Sequence, residues 1–103
     1  MIYEILKGVR RSKAAELRGH ATIEAMLFDR SGSIFLRYVE VPIRDLRSPR
    51  QTIQRRSARE DDRWLKVYRA SAAKPWPLPP IYVREGTRGF PLHDVTFDFG
   101  SSP

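Results

Sequence analysis

His93 and Asp94 are neighbours, and Asp98 follows four residues after Asp94. An imidazole beside carboxylates has the donor chemistry of a divalent-metal site, and equally that of a general base held by an orienting acid. The spacing completes neither. If Phe90 to Phe99 is one extended segment, successive side chains alternate between faces, so Asp94, Thr96 and Asp98 share a side while His93 points the other way. A metal would then need ligands from elsewhere, such as His20 or Glu85, and a polar strand edge accounts for the same residues. No metal and no cofactor is therefore expected. The chain has no glycine-rich phosphate loop, Ser-His-Asp signature or paired-histidine motif. It also has no cysteine, which excludes thiolate metal sites, cysteine nucleophiles and a disulfide framework together. No residue pattern names a reaction, and His93, Asp94 and Asp98 are the candidates should there be one.

The basic residues carry more information. Nineteen Lys and Arg face twelve Asp and Glu, giving a net charge of +7, and only Lys7, Lys13, Lys66 and Lys74 among the nineteen are lysine. Guanidinium groups pair bidentately with phosphate and stack on bases, so an arginine-weighted excess points toward a polyanion. Two clusters stand out. Lys7, Arg10, Arg11, Lys13 and Arg18 have only Glu16 among them, and Arg44, Arg47, Arg50, Arg55, Arg56, Arg59 and Arg63 are diluted by Asp45, Glu60, Asp61 and Asp62. Convergence of Arg10, Arg11, Arg44, Arg47, Arg50, Arg55, Arg56 and Arg59 would make a phosphate-binding surface with little sequence preference. The plainer reading is a solvated exterior with local ion pairs of small individual worth. Tyr3, Tyr38, Tyr68 and Tyr82 could stack on bases, although tyrosines at strand and helix positions ordinarily sit at core edges.

These residues must be positioned by one fold, because 103 residues close one modest core. Met1 to Leu6 reads as a first strand, and Ser12 to Leu17 as a turn or two of helix ended by Gly19, so that residues 1–20 form an N-terminal strand and basic segment. Ala21, Ile23, Ala25 and Leu27 alternate with Thr22, Glu24, Met26 and Phe28, as in a strand with one buried side. Asp29-Arg30-Ser31-Gly32-Ser33 has turn chemistry and Ile34 to Val41 is rich in β-branched and aromatic residues, which gives a β-hairpin over 21–41. Ser57 and Glu60 have capping-box spacing ahead of a helix over 58–73, with acids in its first turn and cations toward its end. Pro75 to Pro80, with Trp76 inside it, ends that helix as an extended connector, or serves as a polyproline ligand. Ile81 to Glu85 and Phe90 to Phe99 read as a second hairpin over 81–99 around Gly86-Thr87-Arg88-Gly89. The expected fold is a single α+β domain over 1–103: a small, mainly antiparallel sheet of two hairpins with one principal helix packed across it. No internal repeat is evident. No apolar run approaches bilayer length, and the first positive charges, Lys7, Arg10 and Arg11, follow the initial Met1 to Leu6 stretch instead of preceding it, so no membrane partner is expected and a cytoplasmic location is favoured.

Val41-Pro42-Ile43-Arg44-Asp45-Leu46, a polar basic segment, a helix, Leu78-Pro79-Pro80-Ile81-Tyr82-Val83-Arg84-Glu85-Gly86 and then Gly89-Phe90-Pro91-Leu92-His93-Asp94 resemble the opening of the ParB-like nuclease fold. The resemblance covers residues 41–99. It implies that scaffold and proximity to nucleic acid. The family's arginine- or histidine-rich phosphate-handling box should follow Asp94, where this chain has Val95-Thr96-Phe97-Asp98-Phe99-Gly100, and the related sulfiredoxin activity needs a cysteine the chain lacks. A fainter resemblance, of Met1 to Ile5 with Lys13 to Leu17, is to the start of RelE-type ribonuclease toxins, whose ordering of elements the rest does not follow. The function expected is that of a basic accessory domain binding nucleic acid or nucleoprotein through phosphates. The alternatives are a small toxin-like nuclease or ribonuclease using His93, Asp94 or Asp98, and an interaction module for an acidic protein. Oligomeric state stays open.

Overall fold

The structure, a computed structural model, describes residues 1–54 and 79–98. The helix expected over 58–73, the Trp76 segment, Tyr68 and the candidate residues Arg55, Arg56 and Arg59 lie outside the described residues. The elements are β1 (Tyr3–Lys7), α1 (Val9–Leu17), β2 (Thr22–Phe28), β3 (Phe35–Pro42), β4 (Leu46–Ser48), β5 (Thr52–Gln54), β6 (Ile81–Glu85), β7 (Phe90–Pro91) and β8 (Thr96–Asp98). The fold is α+β. Six strands form one sheet in the order β3-β2-β6-β1-β4-β7, and β5 and β8 pair separately as a parallel ribbon.

The hairpin over 21–41 forms as the alternation implies, with β2 and β3 antiparallel from Thr22↔Pro42 to Phe28↔Phe35. Its turn is organised by Asp29. The carboxylate accepts the backbone N–H groups of Ser33 and Ile34 at 3.0 and 3.1 Å and the Ser31 hydroxyl at 2.8 Å. These donors, led by the Ile34 amide, hold the Asp29 carboxyl below its ordinary value of 3.8.

The hairpin expected over 81–99 does not exist. β6 is the third strand of the sheet, antiparallel to β1 and parallel to β2, so both its edges are taken. Ile81 and Val83 are completely buried there. The chain beyond has to pair elsewhere: β7 joins the far edge against β4, and β8 joins β5. The sheet is consequently mixed, with β1–β4 and β2–β6 parallel, where a mainly antiparallel one was expected.

α1 packs on the buried face through Ala14 and Ala15, whose small side chains permit close approach. Gly8 precedes it at φ 107°, and a Cβ there would stand 2.6 Å from the Ile81 side chain, so both the backbone angle and the space require glycine. At the other end Gly19 N–H donates to Glu16 and His20 N–H to Ala15, the paired bonds of a Schellman motif. Gly19 thus ends the helix as the sequence implies. The core joins Ile5, Ala15, Ile23, Ala25, Leu27, Val41, Ile43, Leu46, Ile81, Val83, Leu92 and Val95. Among the described residues no helix is long and apolar enough to cross a membrane.

One short repeat is visible only in three dimensions. Val41-Pro42-Ile43-Arg44-Asp45-Leu46 and Phe90-Pro91-Leu92-His93-Asp94-Val95 each run from a strand through an extended proline into a three-residue 3₁₀ turn. In both, the first turn residue and the residue after the turn (Ile43 and Leu46, Leu92 and Val95) are buried, and the latter's N–H donates to the former's carbonyl. α1 touches both turns. Six positions of ordinary apolar and polar types are too few to register as a repeat in sequence.

Candidate functional site

β1 and β4 are parallel neighbours, so the chain leaves both at the same end of the sheet; β6 is antiparallel to β1 and begins there. Three segments therefore converge: Lys7 to Arg11 after β1, Ser48 to Arg50 after β4, and Pro79-Pro80 before β6. Between them lies a cleft of about 840 Å³, floored by Leu6, Val9, Ile53 and Tyr82 and carrying Lys7, Arg10, Arg11 and Arg50. No acidic side chain is among the described residues that line it. The start of α1 borders the same space, with no acid in its first turn and no side-chain cap, so its helix dipole adds to the positive field.

The cations are held in different ways. Arg11 Nη1 donates to the carbonyls of Pro79 and Pro80 at 2.6 and 3.1 Å, which pins the wall of the cleft. Ser48, fully buried, donates its hydroxyl to Arg50 O at 2.7 Å and accepts Arg50 N–H at 3.2 Å, fixing the backbone from which the exposed Arg50 side chain projects. Lys7 Nζ stands 5.5 Å from the Tyr82 ring centroid, in cation–π range.

Tyr82 links this cleft to the second face of the sheet. Along β6, Ile81 and Val83 point into the core, so Tyr82 and Arg84 take the opposite side; along β2, Met26 and Phe28 do the same opposite Ala25 and Leu27. On that side four rings form a continuous row across β6, β2 and β3. Centroid separations are 5.1 Å for Tyr82–Phe28, 6.0 Å for Phe28–Phe35 and 5.1 Å for Phe35–Tyr38. Phe35 is 41% exposed and Tyr38 60%. Farther along the same two strands Glu24 stands directly opposite Glu40, so the face turns acidic there.

The remaining sequence candidates lie apart from this cleft. Arg44 projects from the first 3₁₀ turn, its Nε 4.0 Å from Asp45, and Arg47 folds back to donate Nη1 to the carbonyls of Arg44 and Leu46. Lys13, counted in the first basic cluster, is only 8% exposed and donates Nζ to Leu92 O and to Glu16, both at 2.7 Å. It fastens α1 to the second 3₁₀ turn. His93 and Asp94 lie in that turn and not in a strand, 3.3 Å apart, with side chains 75% and 49% exposed. Asp98 belongs to the separate β5–β8 ribbon. Among the described residues no three His, Asp or Glu side chains group as metal ligands.

A second hollow, of about 610 Å³, collects Arg30, Arg84 and Arg88 around Glu4. Here the carboxylate is satisfied internally: Arg84 donates Nε and Nη2 to Oε2 at 3.0 Å, and Arg88 N–H donates to Oε1 at 2.9 Å.

The sequence reading named Arg10, Arg11 and Arg50 of the cleft, counted Lys7 in the first basic cluster, and named Tyr38 and Tyr82 among the tyrosines that could stack on bases. It missed Phe28 and Phe35. Their only signal was the strand alternation that sets Phe28 on the side away from Ile23 and Leu27. Comparison with known proteins found no matching family model, no similar curated protein and no similar solved structure.

Proposed function

We propose that this protein binds nucleic acid through phosphate contacts made in the cleft by Lys7, Arg10, Arg11 and Arg50. The observation that carries this reading is the gathering of four cations from two separate chain segments around one space. Phosphates entering that space displace counterions from the strand, and the released ions make the affinity fall steeply with salt. Contacts of this kind position a polynucleotide without reading its sequence. The +7 net charge favours encounter with the same polyanion. The scaffold suggested by the ParB-like resemblance is compatible with this role and supplies no catalytic residues to it.

A salt titration tests the proposal. Affinity for a mixed-sequence oligonucleotide should fall linearly on a log–log plot, and replacing Arg10 or Arg50 by Ala should lower the slope by about 1 each. Arg44→Ala should leave it unchanged. Absence of binding at 20 to 50 mM salt, taken as roughly the range where such contacts are strongest, would remove the reading.

A further inference from the structure

The four-ring row has no covering element among the described residues, yet it begins inside the cleft, at Tyr82. Its composition is unusual for an exterior: Tyr82, Phe28, Phe35 and Tyr38 touch in that order, and Phe35 and Tyr38, toward the β3 edge, are substantially solvent-exposed. Resting on the phosphate-binding reading above, we infer that the nucleic acid is single-stranded and that its bases stack on this row while its backbone is held by the cleft cations.

A duplex hides its base faces inside the stack, and a broad sheet surface enters neither groove; an unpaired base offers a π-face that any aromatic ring can receive. From β6 to β3 the row crosses two inter-strand spacings, about 10 Å, which suits two or three bases laid side by side. Charge sets the direction. Lys7, at the Tyr82 end, and the cleft beyond it attract phosphate, whereas Glu24 and Glu40 on the same face repel it. The strand therefore leaves the cleft over Tyr82, passes Phe28 and Phe35, and exits across the β3 edge at Tyr38 before reaching the carboxylates. A second copy of this chain or an apolar peptide would gain the same rings but would have no use for Lys7 and the exposed Arg50 at one end.

The test compares the full chain's affinity, at one salt concentration, for ten-nucleotide oligo-dT, oligo-rU, the same deoxyribose-phosphate chain without bases, and a ten-base-pair blunt duplex. Oligo-dT or oligo-rU should bind at least tenfold more tightly than both the abasic chain and the duplex. Phe35→Ala and Tyr38→Ala should each weaken single-strand binding by roughly five- to a hundredfold, as loss of a stacking ring does, with the salt slope unchanged. Tyr38→Trp should restore or improve it. Both positions are exposed, so circular dichroism and melting temperature should match the parent. Equal binding of all four probes, with Phe35→Ala and Tyr38→Ala neutral, would overturn the stacking inference and leave the phosphate reading standing. No binding of any probe at low salt would end both. Concentration-dependent dimerisation abolished by Phe35→Ala would assign the rings to a second copy and overturn the inference also.

Discussion

Two places among the described residues concentrate guanidinium groups, and they are built on different plans. In the hollow around Glu4, one carboxylate from β1 meets Arg84 across the β1–β6 ladder and the Arg88 backbone amide, and the charge is consumed within the fold. In the cleft at the end of β1 and β4, Lys7 and the exposed Arg50 stand over a floor of apolar side chains. Counting arginines therefore says little about ligands; what matters is whether an acid occupies the neighbouring register position. Glu4 lies between Arg84 and Arg47 on adjacent strands, and that position makes the difference between a structural corner and a receptive one.

The contrast can be broken at its structural end first. Glu4→Ala removes the carboxylate that Arg84 and the Arg88 amide engage and leaves Arg84 partly buried without that partner, so unfolding in urea should show a loss of about 2 to 3 kcal/mol, with no change in the salt slope of binding. A loss confined to binding would mean that the corner, too, serves a ligand. Lys13→Ala should cost about 2 kcal/mol by the same measurement, since it removes the tie to the Leu92 carbonyl. A change in nucleic-acid affinity without a change in stability would return Lys13 to the ligand-binding set. Arg50→Ala tests the other plan: stability within about 0.5 kcal/mol of the parent, affinity reduced, and the salt slope lower by about 1. The smallest effect concerns Asp29, whose carboxyl is held below its ordinary 3.8 chiefly by the Ile34 amide. Because the folded value is the depressed one, the ionised carboxylate's contribution is complete above the unfolded value and disappears as pH falls through the folded one. Urea midpoints of the parent and Asp29→Asn should therefore differ near pH 6 and converge at strongly acidic pH. A constant difference would show that ionisation does not matter in that turn.

What the sequence made legible was local. The β2–β3 hairpin follows from strict alternation plus an Asp-Ser-Gly turn, and the end of α1 from a glycine that can take the left-handed conformation. The place of β6 is not local information: Ile81-Tyr82-Val83-Arg84-Glu85 alternates in the same way whether it pairs with the next segment or inserts between β1 and β2. Buried Ile81 and Val83 settle the matter only through contacts with residues more than fifty positions away. The same limit governed the candidate site. Arg10, Arg11 and Arg50 meet because β1 and β4 are parallel, whereas Arg44 lies before β4, at its other end, and the mid-strand Arg47 folds back onto the carbonyls of Arg44 and Leu46. Alternation set Phe28 on the side away from Ile23 and Leu27, but no pattern of types reveals which side of a sheet a helix will cover or that Phe35 and Tyr38 continue a row from it.

The late arrival of β6 bears on how the chain must be made. While residues up to 54 have left the ribosome and those beyond 80 have not, β1 and β2 have no central partner, and each presents an unsatisfied edge to solvent or to a neighbouring nascent chain. A gene fragment stopping before Ile81 should accordingly yield inclusion bodies, and slow codons placed between those points should lower the soluble yield of the full-length protein.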